Sequence, residues 1–123
     1  MIPLQFIKSQ YRWSNFREKV EPYLTDEKCD KKLKTYVLPR SMSDSEIQKE
    51  TNSLPIPVSI IASVMQNFLK DADKSGYYIF HTQIRNESVA FDVCWGGGEW
   101  RFDAYEFVDG GGWRTWAALM GRS

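Results

Sequence analysis

With 123 residues, the chain suits one domain of ordinary size and is long enough to bury a core without disulfide or metal staples. Its 16 basic side chains balance its 16 acidic ones, so the overall field gives no reason to expect nucleic acid or an anionic membrane as partner. The two cysteines, Cys29 and Cys94, lie in segments of different type without CxxC spacing, which argues against a zinc site or redox motif and for free thiols in a reducing compartment.

The first eight residues, Met1 to Lys8, have no basic n-region and too short an apolar run for a signal peptide, and no stretch approaches membrane-spanning length. A cytoplasmic location is the expectation. Pro3 to Ile7 reads as a short edge strand, weakened by Pro3. From Gln10 to Glu21 the spacing of Trp13, Phe16 and Val20 is helical, and Pro22 ends it because the residue before a proline avoids the α region. A second helix is expected from Thr25 as N-cap, with Asp26 and Glu27 in its first turn and Lys31, Lys32 and Lys34 in its last, as the helix dipole favours. Those lysines lack interleaved aromatics and read as a solvated helix end rather than a phosphate patch.

Thr35 to Leu38 looks extended, a strand at the edge of the main sheet. In the polar stretch from Arg40 to Ser53, Ser43 with Glu46 fits a capping box, which places a short helix from Asp44 to about Glu50. The alternative is a surface loop positioned to act as a lid. The main helix starts near Pro57 and carries apolar residues at Val58, Ile61, Ala62, Met65, Phe68, Leu69 and Ala72. Lys74-Ser75-Gly76 is expected to end it, with Gly76 just past its C-terminus.

Beyond Tyr77 the chain reads as a four-stranded antiparallel meander with turns at 85–88, 96–99 and 109–112. If Ile84 pairs with Val89, then Thr82 faces Phe91, Phe80 faces Val93 and Tyr78 faces Trp95. A two-residue Gly97-Gly98 turn then pairs Trp95 with Trp100, Val93 with Phe102 and Phe91 with Ala104, extending one apolar face. The opposite face sets His81 beside Asp92, Asp92 beside Asp103, and Cys94 beside Arg101, with Tyr77, Ile79 and Tyr105 around them. For the fourth strand, Trp113 to Met120, a five-residue loop puts Trp116 and Met120 on the core face with Arg114 opposite Glu106. A tight Gly110-Gly111 turn sends Trp116 to the polar face instead. The first is preferred because its ion pair and aromatic partners agree.

The expectation is thus a single α+β domain over 1–123: a helical and loop region at 1–53, a long core helix at 54–76 and an antiparallel sheet at 77–120. This order of helix, helix, short strand, long helix and four antiparallel strands resembles the cone-shaped α+β fold of the nuclear transport factor 2 and limonene epoxide hydrolase type. The resemblance implies a curved sheet enclosing an apolar pocket, with the outer sheet face pairing two subunits.

Three functional readings follow. His81, Asp92 and Asp103, if convergent, would make an acid/base or metal site, since two adjacent carboxylates share a proton unless a cation separates them. The alternative is an ordinary solvated sheet face. Trp95, Trp100 and Trp116, with Arg101 and Tyr105, are candidate binding residues, because indole N–H groups and amphipathic rings recur in ligand sites and interfaces. A protein-interaction module or homodimer would bury His81, Arg101 and Tyr105. The segment from Gly96 to Arg101 lacks the third glycine of a dinucleotide fingerprint, and no Gly-x-Ser-x-Gly elbow exists. With one histidine and no nucleophile motif, the sequence favours a non-catalytic domain that binds a small apolar or aromatic ligand and needs no cofactor or metal, with a homodimer through the sheet as a further expectation.

Overall fold

The computed structural model describes residues 3–106 and 116–119, with side chains through Tyr105. The chain opens with helix α1 (Pro3–Lys8), where an edge strand was expected. Proline is well tolerated in the first turn of a helix, and the helical turn buries Ile7 in the core beside the main helix. Strand β1 (Tyr11–Arg12) follows, then helix α2 (Ser14–Lys19) and a 3-10 turn at Glu21–Tyr23. The expected helix from Gln10 is therefore shorter at its start. Phe16 and Val20 are buried as expected, but Trp13 faces outward because its N–H bonds to the Phe102 carbonyl on the sheet.

The helix expected from Thr25 does not form. Residues 24–33 run as an irregular strap tied to the main helix at Cys29, whose N–H and carbonyl bond to Ser63 and Asn67 of that helix. The Thr25 hydroxyl donates to the Ser59 carbonyl and accepts from the Glu27 N–H. The Cys29 N–H donates to Ser63 Oγ at 2.9 Å. Only Leu24, Cys29 and Leu33 touch the core from this segment, too few apolar groups to make a helix face worth burying.

Strand β2 (Lys34–Val37) matches the expected edge strand. Helix α3 (Asp44–Thr51) carries the expected capping box: Ser43 Oγ accepts from the Glu46 N–H, and the Glu46 carboxylate accepts from the Ser43 N–H. A two-residue strand, β3 (Ile56–Pro57), and a 3-10 turn at Val58–Ile60 lead into the main helix α4 (Ile61–Lys70). That helix ends at Lys70, one turn earlier than expected. Gly76 is needed for a different reason: a Cβ there would collide with the Tyr78 phenol, which folds back to donate to the Asp73 carbonyl.

Strands β4 (Tyr77–Ile84), β5 (Glu87–Gly96) and β6 (Glu99–Glu106) form the expected antiparallel run. The β5–β6 register agrees with the sequence reading, with Trp95 opposite Trp100 across a Gly97-Gly98 turn whose residues both have positive φ. The β4–β5 register is slipped by two. The turn is the pair Arg85-Asn86, with Arg85 at φ 59°, so Ile84 meets Glu87, Phe80 meets Phe91 and His81 meets Ala90. An even slip keeps every side chain on its face, which is why the core face was still assigned correctly.

The fourth strand corrects the topology. Strand β7 (Trp116–Leu119) does not extend the meander beyond β6 but crosses to the other side of β4, which it joins in parallel, while pairing antiparallel with β2. The outer edge of β6 is already taken by β1, parallel to it, and by the bond from the Trp100 N–H to Gln10 Oε1. The sheet is therefore mixed, in the order β1-β6-β5-β4-β7-β2, with β3 on the edge of β4 beyond β7. Arg114, Met120 and the Trp116 side chain lie outside the described residues, so the expected contacts of that strand do too.

One face of the sheet holds the core. Phe80 stacks on Phe91 at 5.1 Å, Phe16 wedges against Phe91 and Phe102, and Phe68 meets both Tyr78 and Phe80 edge-on. Ile61, Met65 and Leu69 of α4 close over them. On the other face, Ile79, His81, Ala90 and Asp92 are also buried rather than solvated, and α3 supplies Asp44 to that side. Met42 and Ile47 form a separate apolar cluster with Tyr36 and Leu38.

Candidate functional site

Strand alternation sends His81 and Asp92 to the face away from α4, where the pairing separates them. Asp92 lies opposite Ile79, not His81, so the two are diagonal neighbours. His81, 3% exposed, instead binds Asp44 of α3, Nε2 to Oδ1 at 2.7 Å, with Asp44 fully buried. The capping box fixes where α3 begins, and that start delivers Asp44 to the histidine. This pair ties a helix to the sheet.

Asp92, 2% exposed, directly faces Asp103 across β5 and β6. The Tyr77 hydroxyl donates to Asp92 Oδ2 at 2.5 Å and the Tyr105 hydroxyl to Asp103 Oδ2 at 2.9 Å. Burial pushes the Asp92 carboxyl from 3.8 up to about 6; the Tyr77 hydrogen bond pulls it down and repulsion from Asp103 adds to the rise. The Tyr77 and Tyr105 phenols are raised in turn, first by burial. Burial and Asp92 also hold the Cys94 thiol up, against a lowering by Arg101, so Cys94 is no activated nucleophile. The cluster is thus a carboxylate pair, Asp92 buried and Asp103 half-buried, with one phenol on each. Among the described residues, no group of three or more His, Cys, Asp or Glu side chains is arranged to hold a metal ion.

The other candidate is a cleft of about 350 Å³ between the C-terminal half of α4, the end of the strap and β2. Its apolar wall is Leu33, Val64, Phe68 and Tyr78, the last two edge-to-face at 5.1 Å. Lys32, Asn67, Asp71 and Asp73 supply the polar rim. Asp73 accepts from the Ser75 N–H and hydroxyl, which keeps its carboxyl below the usual range. A wider hollow of about 580 Å³ at the opposite end of β4 is bordered by Glu18, Lys19, Glu87 and Ser88 and, among the described residues, has only Tyr23 and Tyr105 as rings.

The chain matches no family model, no curated protein and no solved structure.

The residues singled out from the sequence are spread across the molecule. Trp100 is core, beside Tyr78 at a ring separation of 6.4 Å. Trp95 packs edge-on against Trp100 and receives the Lys74 ammonium 4.0 Å from its ring centre. Arg101 is exposed and lies over the Tyr11 ring at 5.4 Å, while Tyr105, further along the same face of β6, stands with the carboxylates. Asp44 and the cleft residues escaped sequence reasoning. Nothing local links Asp44 to a histidine 37 positions away. The usable signal for the cleft was Phe68 at the end of a helix stripe followed closely by Asp71 and Asp73.

No helix among the described residues is long and apolar enough to cross a membrane.

Proposed function

We propose that this chain is a binding domain for a small ligand, and that the ligand occupies the cleft at the C-terminal end of α4. The observation that carries the reading is the pairing of two aromatic walls, Phe68 and Tyr78, with a charged rim in one concavity. A concave site with mostly apolar walls and a few polar groups is the usual form of small-molecule sites, and 350 Å³ suits a compact ligand. The polar strip supports catalysis less well, since His81 and Asp92 are closed off from solvent and His81 is committed to Asp44. Trp100 borders Tyr78, with Trp95 packed behind it, so the two would support the wall rather than touch the ligand.

The test is a fragment screen followed by two-dimensional amide NMR. Hits should shift Leu33, Phe68 and Asp71 together and lose that effect in Phe68→Ala. A screen in which no fragment moves these amides would sink the reading.

A second reading rests on a different observation. At the β1 edge, Tyr11 and the 49% exposed Trp13 meet edge-on at 5.4 Å beside Arg101, a grouping of residue types common in interfaces. Self-association through that edge would show as a doubled solution mass that Trp13→Ala returns to the monomer value. The interface expected through His81 is unfavourable, because that residue is covered within the chain.

A further inference from the structure

We infer that the ligand of the α4 cleft is a small organic ammonium ion carrying a short apolar or aromatic group. The inference rests on the binding reading above and names the ligand class for the same cleft. Its basis is the balance of charge around the aromatic walls. Asp71 stands exposed at the C-cap of α4, and Asp73 lies two residues on, held ionised by its bonds from Ser75. Both border the same concavity. The C-terminal end of a helix adds partial negative charge from carbonyls that lack partners within the helix, and it favours cations.

Five lysines stand near enough to oppose this. Among the described residues Lys32 is the one ammonium that borders the cleft. Lys31 and Lys34, its neighbours on the strap and β2, and Lys70 on α4 are exposed without bordering the concavity, and Lys74 is drawn off to the Trp95 ring. Neither Lys32 nor Asp71 forms an ion pair with any described residue. Two carboxylates and a helix C-terminus thus outweigh one flexible ammonium. An incoming anion would gain Lys32 and face both aspartates; an incoming cation would gain both aspartates and the electron-rich ring face of Phe68, which the buried Tyr78 backs, by cation–π attraction. The cleft volume, at the lower end of the range for small-molecule sites, restricts the apolar part to about one ring or a short chain.

The experiment uses the full chain and three probes of matched shape: 2-phenylethylamine, 3-phenylpropionate and 2-phenylethanol, each titrated while amide shifts are followed at low salt. The amine should saturate the Leu33, Phe68 and Asp71 shifts at a concentration about tenfold lower than the carboxylate does, and added salt should narrow that gap. In Asp71→Asn, a substitution at an exposed position, amine binding should weaken about three- to fivefold, while 2-phenylethanol binding stays as it was. Carboxylate binding as tight as amine binding, or amine binding indifferent to Asp71→Asn, would overturn the ammonium assignment and leave the cleft as a binding site. If none of the three probes moves the cleft amides, the assignment fails, and the fragment screen then decides separately whether the cleft binds anything.

Discussion

Asp92 is the residue whose environment most changes its chemistry. Its folded value of about 6 lies above 3.8, so folding takes up a proton between those limits. The stability it contributes is full below pH 3.8 and is lost as pH rises through about 6. At about 1.4 kcal/mol for each pH unit, the gap between the two values is worth about 3 kcal/mol. Asp92→Asn keeps the shape and an oxygen for the Tyr77 hydroxyl, so the variant should exceed the parent in stability above about pH 6. The difference should vanish toward pH 3.8, as urea midpoints measured across that window would show. Phe102 is a plainer case: fully buried and 5.3 Å from the Phe16 ring, it should cost about 3 to 5 kcal/mol when replaced by alanine. An unchanged midpoint in Phe102→Ala would contradict the assignment of the core face. Both residues were singled out from strand alternation alone, because a period of two survives even a register error of two.

Among the elements, α3 shows how far local sequence reaches. Ser43 and Glu46 announced the helix start because a capping box is satisfied within four residues. Ser43→Ala should therefore cost about 1 kcal/mol. Asp44→Ala should cost more, about 2 to 4 kcal/mol, because it leaves His81 buried without that carboxylate. Thermal unfolding of the two variants gives the comparison, and equal costs would mean that the His81–Asp44 bond does not anchor the helix. The strap at 24–33 shows the opposite limit. Its Thr25 and its charge order satisfy helix rules, yet side chains of α4 and the Ser59 carbonyl, distant in sequence, supply the hydrogen bonds that a helix would have made internally. Helix propensity is a weak prior, and a tertiary alternative overrode it here.

At the scale of the whole molecule, β7 holds the two sides of the sheet together. It lies between β4 and β2, so the β2 edge reaches the central hairpins only through it among the described pairings. Deleting residues 107–123 should release β2 from the sheet while β4, β5 and β6 keep their mutual ladders. Hydrogen exchange by NMR should then show lost protection at Lys34–Val37 and retained protection at Phe91 and Phe102. Protection lost everywhere at once would mean that the sheet folds as one cooperative unit. The cleft depends on the same placement, since Thr35 of β2 borders it opposite α4.

What this sequence determined by itself is whatever short-range periodicity and turn chemistry decide: the buried stripe of α4, the glycine hairpin between β5 and β6, the cap of α3 and the two-faced pattern of the sheet. Those features draw on neighbours within a few residues, so each carries its own evidence. Tertiary structure alone decided which edge β7 joins, which acid His81 meets, and where the aromatic cleft opens. Each of those depends on groups brought together from distant parts of the chain, where β1 occupies one sheet edge and leaves the other to β7, and where no local pattern records the competition.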